Sequence, residues 1–364
     1  MNHSRQIIIS GLTLLALSLS GCVGSNAGTN TSVPTGIVQP AQTSQVEKNN
    51  IQTLQSTPVA SKATTAASTI TSTPGSPTPQ NTSQPASTQI QALNPIPDFS
   101  HIFIIVMENH EASQIDGSRF APYLNQLGQE YARAANYYAV SHPSLPNYLA
   151  LTGGDTFGIS TDCDQCYVNA DNIASQIEKA GKTWKAYMES MPESCDTVGA
   201  SNYVVRHDPF IYYDNIRTTP ASCKNVVPIT QLTKDLGANS LPDFVWITPN
   251  VCNDMHDCGV IAGDSWLKTW VPKILASQAW KDNGVLFITF DEGTTRKGCC
   301  SYAAGGKVYT LVISPLVRPG FVSNNPYDHY SLVKTIETAW NLPLLGKAAS
   351  ESTPLMSEFF PKTP

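Results

Sequence analysis

Charge is scarce in this chain. Of its 364 residues 28 are acidic and 22 basic, 14% in all, and no basic run occurs anywhere. Residues 1–97 contain only Arg5, Glu47, Lys48 and Lys62, which leaves 19 basic and 27 acidic side chains, a net of −8, for the remainder. Binding a nucleic acid requires clustered Lys and Arg to neutralise phosphates, so that class of partner is excluded. The apolar run Ile7 to Leu19 covers about 13 residues, short of the ~20 that cross a bilayer, which disfavours a permanent transmembrane helix there. Aromatic residues are missing from residues 23–96, leaving nothing to seed a core. A Gly-x-Ser-x-Gly elbow is missing too, and with it the usual mark of an acyl-transfer serine.

What is present divides the chain into three parts. Residues 1–22 join a basic start, the short apolar run and Leu19-Ser-Gly-Cys22; this is the pattern of an export signal. Leu-Ser-Gly-Cys resembles the bacterial lipobox, which implies cleavage before Cys22 and a diacylglycerol on its sulfur. Residues 23–96 are rich in Ser, Thr, Pro, Gln, Asn and Ala, a composition expected to stay disordered as a tether. Residues 97–364 form the expected folded domain, long enough to bury a sizeable core as a monomer.

Eight cysteines follow Cys22: Cys163, Cys166, Cys195, Cys223, Cys252, Cys258, Cys299 and Cys300. An even number outside the cytoplasm suggests disulfides. Proximity favours Cys163–Cys166, Cys195–Cys223, Cys252–Cys258 and a vicinal Cys299–Cys300, among the many connectivities that eight cysteines allow. A zinc reading of Cys163-x-x-Cys166 lacks the second Cys-x-x-Cys it would need.

Buried-strand runs recur at His101 to Met107, Asp243 to Thr248, Gly284 to Phe290 and Val308 to Ser314, with a weaker one at Thr183 to Met188. Helical patterns lie between them, at Pro122 to Ala135, Leu145 to Leu151, Asp171 to Ala180, Ile229 to Leu236, Asp264 to Ser277 and Ser331 to Trp340. The alternation predicts an α/β fold, a mainly parallel central sheet with helices on both faces. Ligands of such sheets gather at the carboxyl ends of the strands. There the chain places Glu108-Asn109-His110, then Asn253-Asp254-Met-His256-Asp257, then Asp291-Glu292-Gly293. Glu108, Asn109, Asp291 and Glu292 are hard oxygen donors, and with Ser144 they could complete one divalent-cation site.

The stretch Ser144-Leu-Pro-Asn147, followed by an apolar helix and Thr-Gly, resembles the nucleophile motif of the alkaline-phosphatase-like superfamily. Taken with Glu108-Asn109-His, Arg206-His207-Asp-Pro-Phe, Asn253-Asp254-Met-His256-Asp257, Asp291-Glu292-Gly and Asp328-His329-Tyr-Ser, it is similar to the bacterial phosphoesterase family of secreted acid phosphatases and phospholipases C, and within it most like the acid phosphatases. The resemblance implies a phosphoric-ester hydrolase in which Ser144 attacks phosphorus and one divalent cation of unknown identity sits on Glu108, Asn109, Ser144, Asp291 and Glu292. It also implies that His207 meets a phosphate oxygen, although Arg206 and Asp208 stand where the family often has Lys and Asn. His256, between Asp254 and Asp257, is the first choice for the proton that a leaving alkoxide needs. Asn109, Asp257 and His329 are the remaining candidates for holding substrate.

A sulfatase needs Arg two residues after the proline of its motif, and Tyr148 stands there. A two-metal alkaline phosphatase needs further Asp and His ligands. Phosphodiesterase or phospholipase C chemistry stays open beside monoester hydrolysis, and a non-catalytic surface lipoprotein is the reading of a different class. The expected location is the extracytoplasmic face of the cell membrane, held by the lipid anchor, or the secreted state.

Overall fold

The computed structural model describes residues 94–361. The 1–22 leader with Cys22, and the 23–96 segment up to residue 93, lie outside the described residues. Eight strands form one sheet in the order β4-β3-β5-β1-β6-β7-β2-β8. They are β1 (His101–Met107), β2 (Ala132–Tyr138), β3 (Trp184–Met188), β4 (Val226–Pro228), β5 (Phe244–Thr248), β6 (Gly284–Phe290), β7 (Lys307–Ile313) and β8 (Val322–Asp328). Only β7 runs antiparallel to its neighbours, so the sheet is mixed but mostly parallel, with helices around it. The central strands explain themselves: β5 and β6 are buried at every position and β1 at all but His101, as expected where both faces of a parallel sheet are covered.

Two differences from the sequence expectation concern the β2 side of the sheet. The helix expected over Pro122 to Ala135 ends at Glu130, and Ala132–Tyr138 is a strand. Ala-Arg-Ala-Ala-Asn carries helical propensity, but pairing with β7 and β8 outweighs so weak a preference. Strand β8 contains Pro326 and exposed Asn residues and lies at the sheet edge, where a missing N–H is tolerated. The Pro122–Glu130 helix is held from a distance: buried Asp264, in the Val260–Ala276 helix, accepts the N–H groups of Tyr123 (3.1 Å) and Leu124 (2.9 Å). Among the described residues no helix is long and apolar enough to cross a membrane.

Candidate active site

Sheet register creates the site. Met107 of β1 stands opposite Phe290 of β6, so the residues that follow them, Glu108 and Asp291, leave the sheet side by side. The Asp291 N–H donates to the Met107 carbonyl (2.9 Å), and the Glu108 N–H to the Asp254 carbonyl (2.8 Å). The second bond draws the loop after β5 to the same edge. Three strand ends, far apart in sequence, therefore meet at one edge of the sheet.

Ser144 is the first residue of the Ser144–Gly153 helix, with Pro143 at the capping position. Its Oγ donates to Glu108 Oε2 at 3.2 Å. Asn147 explains the rest of the motif. Its Oδ1 accepts from the N–H groups of Val140 and Ser141, both at 2.9 Å, and its Nδ2 donates to the carbonyls of Ser141 (3.0 Å) and Pro143 (3.1 Å). The Asn side chain thus fastens the backbone that delivers the serine. The helix ends at Gly154, whose φ of +68° is in the left-handed region; a Cβ there would lie 2.5 Å from the Leu345 carbonyl oxygen.

Around Ser144 the oxygens are crowded. The Asn109 N–H donates to Asp291 Oδ1 at 3.1 Å. The terminal amide atom of Asn109 that faces the cluster lies 3.0 Å from Glu108 Oε2, 3.2 Å from Asp291 Oδ1 and 3.3 Å from Glu292 Oε1; as nitrogen it donates to them, and as oxygen it joins them in facing a cation. Among the described residues no Lys or Arg pairs with Glu108, Asp291 or Glu292; the imidazole of His207 lies against Glu108 and that of His142 against Glu292. Burial, then the charges of Asp291 and Asp254, hold the Glu108 carboxyl well above the usual carboxylate range. Burial pushes Asp291 up to about 6, and burial with the charges of Asp291 and Asp162 pushes Glu292 up to about 9. Buried acids that disfavour their own charge in this way are a set that one hard divalent cation would satisfy.

The histidines fall into distinct places. His207 is 3% exposed, its Nε2 3.4 Å from Glu108 Oε1 and its Nδ1 3.3 Å from Asp254 Oδ2. Burial first, then the charges of Arg206 and His256, keep it well below the ordinary imidazole value, so it is a neutral ring rather than an ion-pair cation. Tyr148 stacks on it, ring centroids 5.4 Å apart, and donates its hydroxyl to Glu108 Oε1. The His256 ring lies 6.0 Å from that of His207, is partly exposed, and places Nδ1 2.6 Å from Asp257 Oδ1. His142 bridges Glu292 Oε2 (2.6 Å) and the Thr295 carbonyl (2.8 Å). Buried Glu111 accepts from Thr294 N–H, Thr295 Oγ and Lys307 N–H, pinning the loop that follows Glu292.

The structure brings Glu108, Asn109, Ser144, Asp291 and Glu292 together and sets His207 and His256 beside them. His329 requires a correction. It is fully buried, with Nε2 on the Asp291 carbonyl (2.6 Å) and Nδ1 3.3 Å from the Tyr137 hydroxyl; both nitrogens are taken, so it stands behind Asp291 and positions it instead of touching substrate. Asp257 is exposed and orients His256. The cysteines lie in the pairs Cys163–Cys166, Cys195–Cys223, Cys252–Cys258 and Cys299–Cys300. Tyr148 and Asp162 were not singled out for the site; the nearness of Tyr148 to Ser144 in sequence was the one available signal.

Residues 117–343 match the Phosphoesterase family. The chain is 33% identical over 265 residues to the phosphatidylinositol-3-phosphatase of Mycobacterium tuberculosis, covering 71% of this chain and 83% of that protein. It is 28% identical over 279 residues to an acid phosphatase of Aspergillus fumigatus (72% of this chain, 60% of that one) and 30% identical over 261 residues to a probable acid phosphatase of Kluyveromyces lactis (68% and 60%). It therefore spans about 60% of the length of these two fungal relatives. The fold is like that of a crystal structure of an alkaline phosphatase superfamily protein from Vibrio parahaemolyticus, with a TM-score of 0.50 at 13% identity over 72% of each chain.

Proposed function

The chain belongs to the Phosphoesterase family, enzymes that hydrolyse phosphoric esters, and from that premise we propose a metal-dependent phosphomonoesterase of the acid-phosphatase kind that works through a phosphoserine on Ser144. The observation that carries this reading is the placing of Ser144 Oγ on Glu108 Oε2, at the start of a helix and beside the Asn109–Asp291–Glu292 cluster. A divalent cation held by Glu108, Asn109, Asp291 and Glu292 would supply positive charge that favours the Ser144 alkoxide and offsets charge on the phosphoryl oxygens. The chain's own groups do the rest. Glu108 fixes the hydroxyl in the rotamer from which it attacks, and the helix N-terminus favours the anion that forms. Oγ passes its proton to Glu108 Oε2 and bonds to phosphorus as the ester oxygen leaves, and His256, with Nδ1 held by Asp257, gives the departing alkoxide its proton from Nε2. The same imidazole then takes a proton from the water that attacks phosphorus, and Oγ leaves with the proton held on Glu108, which restores the serine. The buried neutral His207 donates to a phosphoryl oxygen.

The relatives named as acid phosphatases and a phosphatidylinositol phosphatase support the monoester reading. The enzyme is proposed to act as a monomer outside the cytoplasm, tethered by a lipid on Cys22, with no nucleic-acid partner; paired cysteines suit that compartment. Hydrolysis of 4-nitrophenyl phosphate, bis(4-nitrophenyl) phosphate and phosphatidylcholine by the full chain tests the proposal. The monoester should be turned over fastest, exhaustive chelation should abolish activity, and elemental analysis should find one divalent metal per chain. Faster turnover of either diester would replace the reading with a phosphodiesterase or phospholipase C, and full activity without metal would remove the cation from it.

A further inference from the structure

Next to Ser144 one carboxylate holds two groups suited to an anionic substrate oxygen. Asp162 Oδ1 accepts the Leu145 N–H at 2.9 Å, and Asp162 Oδ2 lies 3.6 Å from Arg206 Nε. Leu145 is the second residue of the ten-residue helix that Ser144 opens, so its amide is one of the free donors at the positive end of the helix dipole. It adjoins the attacking residue. Arg206 precedes His207, a buried ring that faces Glu108 Oε1 (3.4 Å) and Asp254 Oδ2 (3.3 Å) without completing a hydrogen bond to either. An amide next to the serine and a guanidinium thus share one carboxylate, and among the described residues Asp162 alone answers both. Its charge also bears on Glu292 and His207.

We infer that Asp162 is an internal substitute for a phosphoryl oxygen: it holds the Leu145 amide and Arg206 in the free enzyme and releases them when a phosphate ester binds. This rests on the phosphatase reading above. A phosphoryl group brings more charge and more acceptor oxygens than a carboxylate, so it can displace one. The Asp162 side chain is 31% exposed, which leaves solvent to receive it, while the adjacent Cys163–Cys166 bridge keeps the loop close by. Phosphate affinity is then divided by the fraction of molecules in which Asp162 has swung away, which weakens substrate and product alike and hastens release of inorganic phosphate. A carboxylate that merely caps the helix would do none of this.

The test is calorimetric titration of the full chain with inorganic phosphate, for wild type, Asp162→Ala and Asp162→Asn, each checked by thermal unfolding. Asp162→Ala should bind phosphate at least about tenfold more tightly, a gain of about 1.4 kcal/mol, and lower KM for 4-nitrophenyl phosphate by a similar factor without raising kcat. Asp162→Asn should fall between, because its amide oxygen still accepts from Leu145 but offers Arg206 no charge. In a crystal with tungstate, the oxyanion should lie on the Leu145 N–H with Asp162 turned away. Unchanged or weaker phosphate binding by the folded variants, or tungstate bound while Asp162 stays on Leu145, overturns the inference. Wild-type turnover measured alongside separates the two ideas: an enzyme inert on every phosphate ester sinks the phosphatase reading, whereas an active enzyme whose variants bind phosphate no tighter sinks only this one.

Discussion

Ser144 contributes one oxygen and little volume, so Ser144→Ala should leave the fold intact and lower turnover of 4-nitrophenyl phosphate by several orders of magnitude. A folded variant retaining more than roughly a tenth of the rate, a barrier change of only about 1.4 kcal/mol, would exclude attack by this serine. His256 makes a sharper distinction. A nitrophenolate leaves unaided, whereas an alkoxide needs a proton, so His256→Ala should lose ~10² to 10⁴-fold more on an alkyl phosphate than on 4-nitrophenyl phosphate. Equal losses would mean that His256 binds phosphate, and His207 would become the candidate acid. Such roles were partly legible in the sequence. Glu108-Asn109 and Asp291-Glu292 could be read because each pair directly ends a strand. His329 was misplaced because burial of both ring nitrogens depends on Tyr137 and Asp291, neither of them near it in the chain. Asp162 was invisible because its partner Leu145 lies 17 residues away, across a loop with no periodic pattern.

Among the elements, the central strands were readable from continuous apolar runs, while β2 and β8 were not. The composition of β2 favours a helix, and β8 is mostly polar at the sheet edge; both owe their conformation to partners distant in sequence. The Pro122–Glu130 helix beside them depends on a similarly remote contact. Asp264→Ala would leave the Tyr123 and Leu124 amides without their present acceptor, an expected cost of about 1–3 kcal/mol. Thermal unfolding should register it as a drop of about 2–4 °C per kcal/mol. An unchanged midpoint would mean that water serves these amides equally well.

Across the whole molecule, stability should carry the imprint of one carboxyl remote from the chemistry. Burial pushes Glu337 up to about 8. Its Oε1 accepts the Leu345 N–H at 2.9 Å, and that bond, Gln176 and the charge of Lys334 oppose the shift without cancelling it. The folded value exceeds the ordinary ~4.3 of the unfolded chain, so the stability its proton contributes is complete below about pH 4 and is lost as pH rises through about 8, at a slope of up to ~1.4 kcal/mol per pH unit. Glu337→Gln should flatten the fall in stability between pH 5 and 8, measured by urea unfolding; parallel curves for variant and wild type would refute the assignment. The juxtaposition of Asn109 and Asp291, 182 residues apart in the chain, also bears on how the protein matures. Their oxygens meet only after β1 and β6 have paired, so the unfolded polypeptide has no comparable cluster and the proposed cation would bind the native state alone. At a hundredfold excess over its dissociation constant such an ion adds about 2.7 kcal/mol to stability, latching the two central strands together. An exported chain would collect it as the last act of folding, and one secreted into a metal-starved medium should be not only inactive but also digested faster by trypsin.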